Sequence, residues 1–300
     1  MERAPGVAEI LSHWSWDLPW LGLGALAAGA YLQAWSRARR RGTPHPAWRA
    51  STFVAGVTVM LLAVLSPMEH YGNVLLWANF TGFLFITMIA PPLILLGAPL
   101  TLAFRVAGPA RRRLLRGAYR NRAVAAITFP VVTWLGFAVV TYAWQFTALT
   151  GEAASNVFLR DLQQATLLLA GLLFWSPVLA ADPLRWRMPY PLRALYVAVE
   201  MAHKALFGGM FLGMSTAMHE RFAANAPAWA PAAITDQRMA ILVLWLGGNL
   251  VFVAALAALV LGWVRYEQRN QHRTDWRLRL QREAAERRRK ALEQVFTRPV

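Results

Sequence analysis

Residues Ala198–Met214 read AVEMAHKALFGGMFLGM. They lie in a run long and apolar enough to cross a bilayer, yet carry a carboxylate, an imidazole and an ammonium within five positions. Each charge costs about 2.5–3.5 kcal/mol at the centre of a membrane-spanning helix. At 100° per residue, Glu200, His203, Lys204, Met210, Met214 and Met218 share one arc of about 120°. The stretch therefore reads as one wall of a helix bundle, its polar groups turned inward. Glu200 and Lys204 stand at i,i+4 with the acid first, the favoured order for an ion pair within a helix. Two readings stay open: a polar cluster that fixes helix packing, or a proton- or ion-handling site.

The rest of the chain fits a membrane setting. Of its 300 residues 57% are hydrophobic and 15% charged, against about 25% charged in a soluble domain. Cysteine is absent, which excludes disulfides, thiolate metal sites and thiol redox chemistry. The amino terminus, with Glu2, Glu9 and Asp17 against Arg3, lacks the basic lead of a signal peptide. Seven apolar segments reach spanning length, near 18–36, 49–67, 74–98, 123–144, 158–180, 192–217 and 238–264. Their apolar runs are continuous rather than alternating, so the fold class is all-α, a polytopic seven-transmembrane-helix bundle.

Charge then sets the orientation. The connection 37–49 holds five arginines and 105–122 holds seven, neither with an acid. The connection 182–193 carries +2, and the tail from Arg265 has 11 basic and five acidic residues. These four segments total +20 against −4 elsewhere, recovering the net +16. Basic connections alternate with neutral or acidic ones, which places the N-terminus out and the C-terminus in. Residues 1–264 form the transmembrane domain and 265–300 a basic amphipathic cytoplasmic tail, with Trp276, Leu280, Ala284, Ala291 and Val295 on one stripe. The basic excess lies where topology and anionic lipid explain it, so no nucleic-acid partner is expected. Trp14, Trp16, Trp20, Trp35, Trp48 and Trp263 fall at span ends, as an aromatic belt does.

A second set of side chains faces the outer compartment. Met68 and His70 follow helix two, and Met214, Met218 and His219 close helix six. Thioether and imidazole suit copper(I), and without cysteine they are the soft ligands available; a methionine stripe also fills apolar cores. Pro91-Pro92 should break or kink helix three and free carbonyls that neighbours must satisfy. No nucleotide loop, zinc-protease signature or hydrolase elbow is present, so no enzyme is expected.

Three segments in order, SPMEHYGNVLLWANFTGFLFITMIAPPLILLGAPL (66–100), LLLAGLLFWSPVLAADP (167–183) and ITDQRMAILVLWLGGNL (234–250), resemble the CtaG family of membrane proteins. The resemblance implies assembly of a copper-containing cytochrome c oxidase in the cell inner (plasma) membrane, with lipid and oxidase subunits as partners and copper(I) as the metal. It also implies a histidine pair in helix three and another in helix five. At those positions this chain has Asn79 and Phe83, and Arg160 and Gln164. The alternatives are a small transporter or ion- or proton-conducting protein using Glu200, His203 and Lys204, and a structural respiratory subunit.

Overall fold

A computed structural model describes residues 5–43, 45–183, 185–216, 220–224 and 226–296, with side chains for all except 7, 220–221 and most of 272–296. Among these residues every regular element is helical. The long helices are α1 (Leu18–Arg40), α2 (Ala47–Leu65), α3 (Leu76–Leu84, continuing through π-helical Phe85–Ile89 into Ala90–Leu96), α4 (Pro130–Gln145), α5 (Val157–Leu179), α6 (Tyr190–Leu212) and α7 (Ala233–Leu242, π-helical Val243–Gly247, then Gly248–Phe296). Shorter helices join them.

Among the described residues five stretches are long and apolar enough to cross a membrane: Ala47–Leu65, Leu76–Val106, Val157–Leu179, Tyr190–Leu212 and Ala233–Gln271. The other two expected spans differ for local reasons. In α1, small residues and the terminal Arg37, Arg39 and Arg40 dilute the apolar character. The expected span 123–144 is broken. Pro130 lacks an N–H and holds Phe129 extended at φ −67°, ψ 131°, which separates the short helix Arg122–Ile127 from α4. The 16 residues left in α4 rise about 24 Å, less than a ~30 Å hydrocarbon core. The expected segment 192–217 also shortens, because α6 stops at Leu212 and Gly213.

The chain divides into two compact units, Met1–Val253 and Ala254–Val300. The second is helical through Phe296. Trp276 is exposed there, while the side chains of Leu280, Ala291 and Val295 lie outside the described residues.

The centre of the first unit is the meeting of α2, α3 and α5. A Cβ at Gly56 would lie 2.6 Å from the Ile94 backbone N, so glycine is what lets α2 reach α3 this closely. Pro91 has no N–H to give the Thr87 carbonyl one turn earlier. The buried Trp175 supplies the donor instead, its Nε1–H reaching Thr87 O at 3.1 Å. One turn before it, a Cβ at Gly171 would sit 2.8 Å from both Thr87 O and Pro91 Cγ. The Pro-Pro run and the Gly-x-x-x-Trp run are thus two halves of one joint. Pro177 frees a second carbonyl, that of Leu173, and Ser176 Oγ donates to it at 2.9 Å. Trp175→Phe should therefore cost about 1–3 kcal/mol, the usual result of orphaning a buried acceptor. In a Pro91→Ala background that cost should shrink, because alanine restores an N–H four residues after Thr87. Unfolding in mild detergent reads both, and equal losses in the two backgrounds would refute the joint.

Two aspartates from distant sequence close the ends of this third segment. Asp236 accepts from the backbone N–H groups of Leu76 (2.8 Å) and Trp77 (3.0 Å), where α3 begins. Asp182 accepts from Leu100 N–H (3.2 Å), Thr101 N–H (2.7 Å) and Thr101 Oγ1 (2.7 Å), where the helix Pro99–Val106 begins. Both meet the unpaired donors that every helix N-terminus presents. Ahead of the second cap the backbone turns through left-handed Ala98, φ 49°. Tyr31 OH donates to Gly97 O at 2.7 Å, and His45 Nε2 lies 3.0 Å from the same carbonyl. Burial holds the His45 imidazole below its ordinary pKa.

Within the first unit, contacts join segments at or beside the basic connections 37–49, 105–122 and 182–193. Arg41 Nη1–H donates to Val106 O at 2.8 Å, and Trp186 Nε1–H donates to Ala125 O at 2.7 Å.

Candidate functional site

The four positions at which the resemblance implies histidines converge. Asn79 and Phe83 stand one turn apart on α3, Arg160 and Gln164 one turn apart on α5, and all four line one cavity of about 50 Å³. That is room for a few waters. The short helix Pro67–Gly72, begun by the Ser66 side chain accepting from Met68 N–H, adds Met68 and Glu69 to the wall. Gln145 and Gln163, both buried, close it from α4 and α5.

An ion pair dominates the cavity. Arg160 Nε lies 3.0 Å from Glu69 Oε1, with the side chains 25% and 9% exposed. Burial pushes the Glu69 carboxyl above its ordinary pKa, a shift that Arg160 and then Asn73 oppose. Asn79 Nδ2–H donates to Gly72 O at 3.2 Å and pins the start of α3 to the short helix. Gln164 Oε1 is buried without a hydrogen-bond partner among the described residues, and Phe83 is 3% exposed. Asp161, next in sequence to Arg160, faces α1 and accepts from Trp20 Nε1–H at 3.2 Å.

These residues do not fit copper. The cavity offers one thioether, Met68, beside a guanidinium whose charge repels a cation, and Phe83 has no donor. Of the outer-face set, Met68 lines this cavity, while His70 is exposed and stacks on His13 with ring centroids 4.5 Å apart. Partial desolvation of the stacked ring, and then the neighbouring His13, hold His70 below its ordinary pKa. Met214 lies beyond the end of α6, so the expected helical stripe stops short of it. Met218 and His219 lie outside the described residues. Among the described residues no three His, Asp or Glu side chains are placed to hold a metal ion.

The polar group of α6 forms a separate site. The expected Glu200–Lys204 ion pair is not formed; Glu200, 1% exposed, has His203 as its partner, with Oε2 3.4 Å from Nδ1. His203 Nε2 is 2.8 Å from Tyr142 OH on α4. The Lys204 ammonium lies 5.7 Å from the Phe137 ring centroid and 5.1 Å from that of Phe252, with Met88 Sδ at 3.9 Å. Side-chain reach explains the difference. The ring of His203 can turn to Glu200 one turn away, whereas two aromatic faces attract the longer lysine. A cavity of about 40 Å³ adjoins Glu200, His203 and Lys204.

Sequence reading missed Gln145, which α4 brings to the cavity wall, and His13, whose Nδ1 lies 2.7 Å from Glu9 O and whose ring stacks on His70. Asp236 and Gln237, within the quoted run 234–250, are both buried. An acid at the apolar edge of a span is the signal that marks a cap.

Relatives place these features in context. The chain is 26% identical over 284 residues to uncharacterized proteins of Mycobacterium bovis and Mycobacterium tuberculosis, an alignment covering 92% of this chain and 43% of each relative. An uncharacterized protein of Mycobacterium leprae is 25% identical over 285 residues, with the same coverage. The chain thus spans less than half the length of the curated relatives it matches. No solved structure gives a significant match. The family model described as cytochrome c oxidase caa3 assembly factor matches residues 29–266, taking in every long helix from α2 to α6 and most of α1 and the apolar part of α7. The chain belongs to the cytochrome c oxidase caa3 assembly factor family.

Proposed function

We propose that this chain is a membrane-embedded assembly or accessory factor for a copper-containing cytochrome c oxidase, acting without catalysis of its own. The observation that carries the reading is the family match across 29–266. It covers both the Pro91–Trp175 joint and the Glu69–Arg160 cavity. The proposal includes seven spans in the plasma membrane with the N-terminus outside. The gathering of the segments around Arg41, Val106, Ala125 and Trp186 supports that orientation, since one arginine-rich end is what the positive-inside rule requires.

The Glu69–Arg160 pair fits a docking or packing role at the outer end better than metal transfer. Copper(I) handling at the outer face would fall to Met68, His70, Met214, Met218 and His219. Deleting the chain from its host should lower the amount of assembled oxidase in the membrane while its subunits are still made. Returning the full chain should restore it, and a tagged copy should carry oxidase subunits through purification. Normal oxidase levels in the deletion strain would overturn the reading.

A second reading, ion or proton handling, draws on the chain Tyr142–His203–Glu200. It predicts pH-dependent flux in vesicles that Glu200→Gln abolishes.

A further inference from the structure

The starts of α4 and α6 leave an open apolar groove of about 480 Å³ between them. Phe129 and Val131 form one wall, Leu192, Leu195 and Val199 the other. All five are exposed. The volume lies in the range of a small-molecule site and suits a single hydrocarbon chain. Along a bilayer-embedded helix pair, such a groove meets lipid tails.

Its end is charged. Arg187 lines the groove, and Arg185 lies two residues before it, its guanidinium 5.8 Å from the Trp186 ring centroid. Both arginines are exposed. The acid of this connection, Asp182, is taken up by Leu100 and Thr101. Arg193 donates from Nε to Met188 O at 2.8 Å. Arg185 and Arg187 form no ion pair among the described residues. Trp186 holds the connection against Ala125 through its indole N–H, and its ring packs edge-on against Phe129 at 5.2 Å, so the two arginines stand at a fixed mouth. A zwitterionic lipid offers a phosphate whose charge its own ammonium offsets, which weakens its hold on two arginines; a client helix would have to supply acids.

We propose that this groove seats one acyl chain of an anionic phospholipid, whose phosphate is held by Arg185 and Arg187. The inference needs the chain in a bilayer but is independent of its part in oxidase assembly. The experiment takes the full chain in mild detergent. It measures retention of phosphatidylglycerol and of phosphatidylcholine with the same acyl chains by native mass spectrometry.

Phosphatidylglycerol should be retained preferentially. Each of Arg185→Gln and Arg187→Gln should weaken that retention about fivefold, the contribution of one basic side chain near anionic lipid. Leu195→Trp should fill the groove and release lipid of either headgroup, with the helical signal unchanged. Should that variant misfold, the arginine variants decide alone, since their side chains are exposed. Equal retention of the two lipids, retention indifferent to both arginines, or a protein subunit found in the groove would each overturn the proposal.

Discussion

Arg160→Met loses about 2–3 kcal/mol of stability at neutral pH, while Glu69→Gln loses clearly less. Breaking a buried pair from one side costs about 3–5 kcal/mol, discounted here because Arg160 is a quarter exposed. The asymmetry follows from burial. Without Arg160 the Glu69 carboxylate is left in the less exposed position; without Glu69 the guanidinium can rehydrate. The pH dependence has a definite sign. The Glu69 carboxyl already stands above its ordinary pKa, and loss of Arg160 raises it further. A group raised in the folded state binds its proton more tightly there than in the unfolded chain. The penalty is therefore full above the folded pKa and relieved as pH falls through it. Arg160→Met should regain stability on acidification in thermal unfolding experiments, and Glu69→Gln should not. Equal losses without a pH response would show that the pair contributes nothing.

The α6 cluster should respond more strongly still. Glu200→Gln and Lys204→Met each remove one of two opposite charges inside the bundle, Glu200 buried and Lys204 half-buried, an effect that approaches the ~3–5 kcal/mol of a broken buried pair. The double variant Glu200→Gln with Lys204→Met should recover much of that loss even though the two groups do not touch, because Coulomb coupling in a low dielectric extends past contact distance. His203→Gln should cost less, since its ring is 20% exposed and Tyr142 can keep an amide partner. If the double variant folds but oxidase assembly fails, the cluster serves function as well as packing. Neutral single variants would refute the compensation.

How far the sequence reaches can be judged from these same residues. Apolar runs of the right length located the helices, because burial of a continuous face leaves its periodicity in the chain. Two ends were misplaced, and both by local chemistry. Pro130 split the fourth segment, and glycine ended α6 before Met214. The resemblance marked Asn79, Phe83, Arg160 and Gln164 as two pairs; that they meet in one cavity came from the fold. What fills the cavity was not legible either, since pairing of Glu69 with Arg160 spans 91 positions and leaves no local pattern. The Glu200–Lys204 spacing allowed an ion pair, but the nearer imidazole and two aromatic rings redirected both groups. Spacing fixes which side chains can meet; neighbours from other helices decide which do.

The caps of the third segment have a consequence for how the protein is made. Its opening amides, at Leu76 and Trp77, wait for an aspartate 160 residues downstream, and those at Leu100 and Thr101 for one 81 residues downstream. A ribosome delivers these partners seconds apart and in reverse order of need, at about 5–20 residues per second. Until then the nascent helix keeps unsatisfied donors at both starts, and water or a chaperone must stand in for the missing carboxylates. Only when α7 is inserted does Asp236 close the first of these ends, so the start of α3 is locked by a partner made long after it.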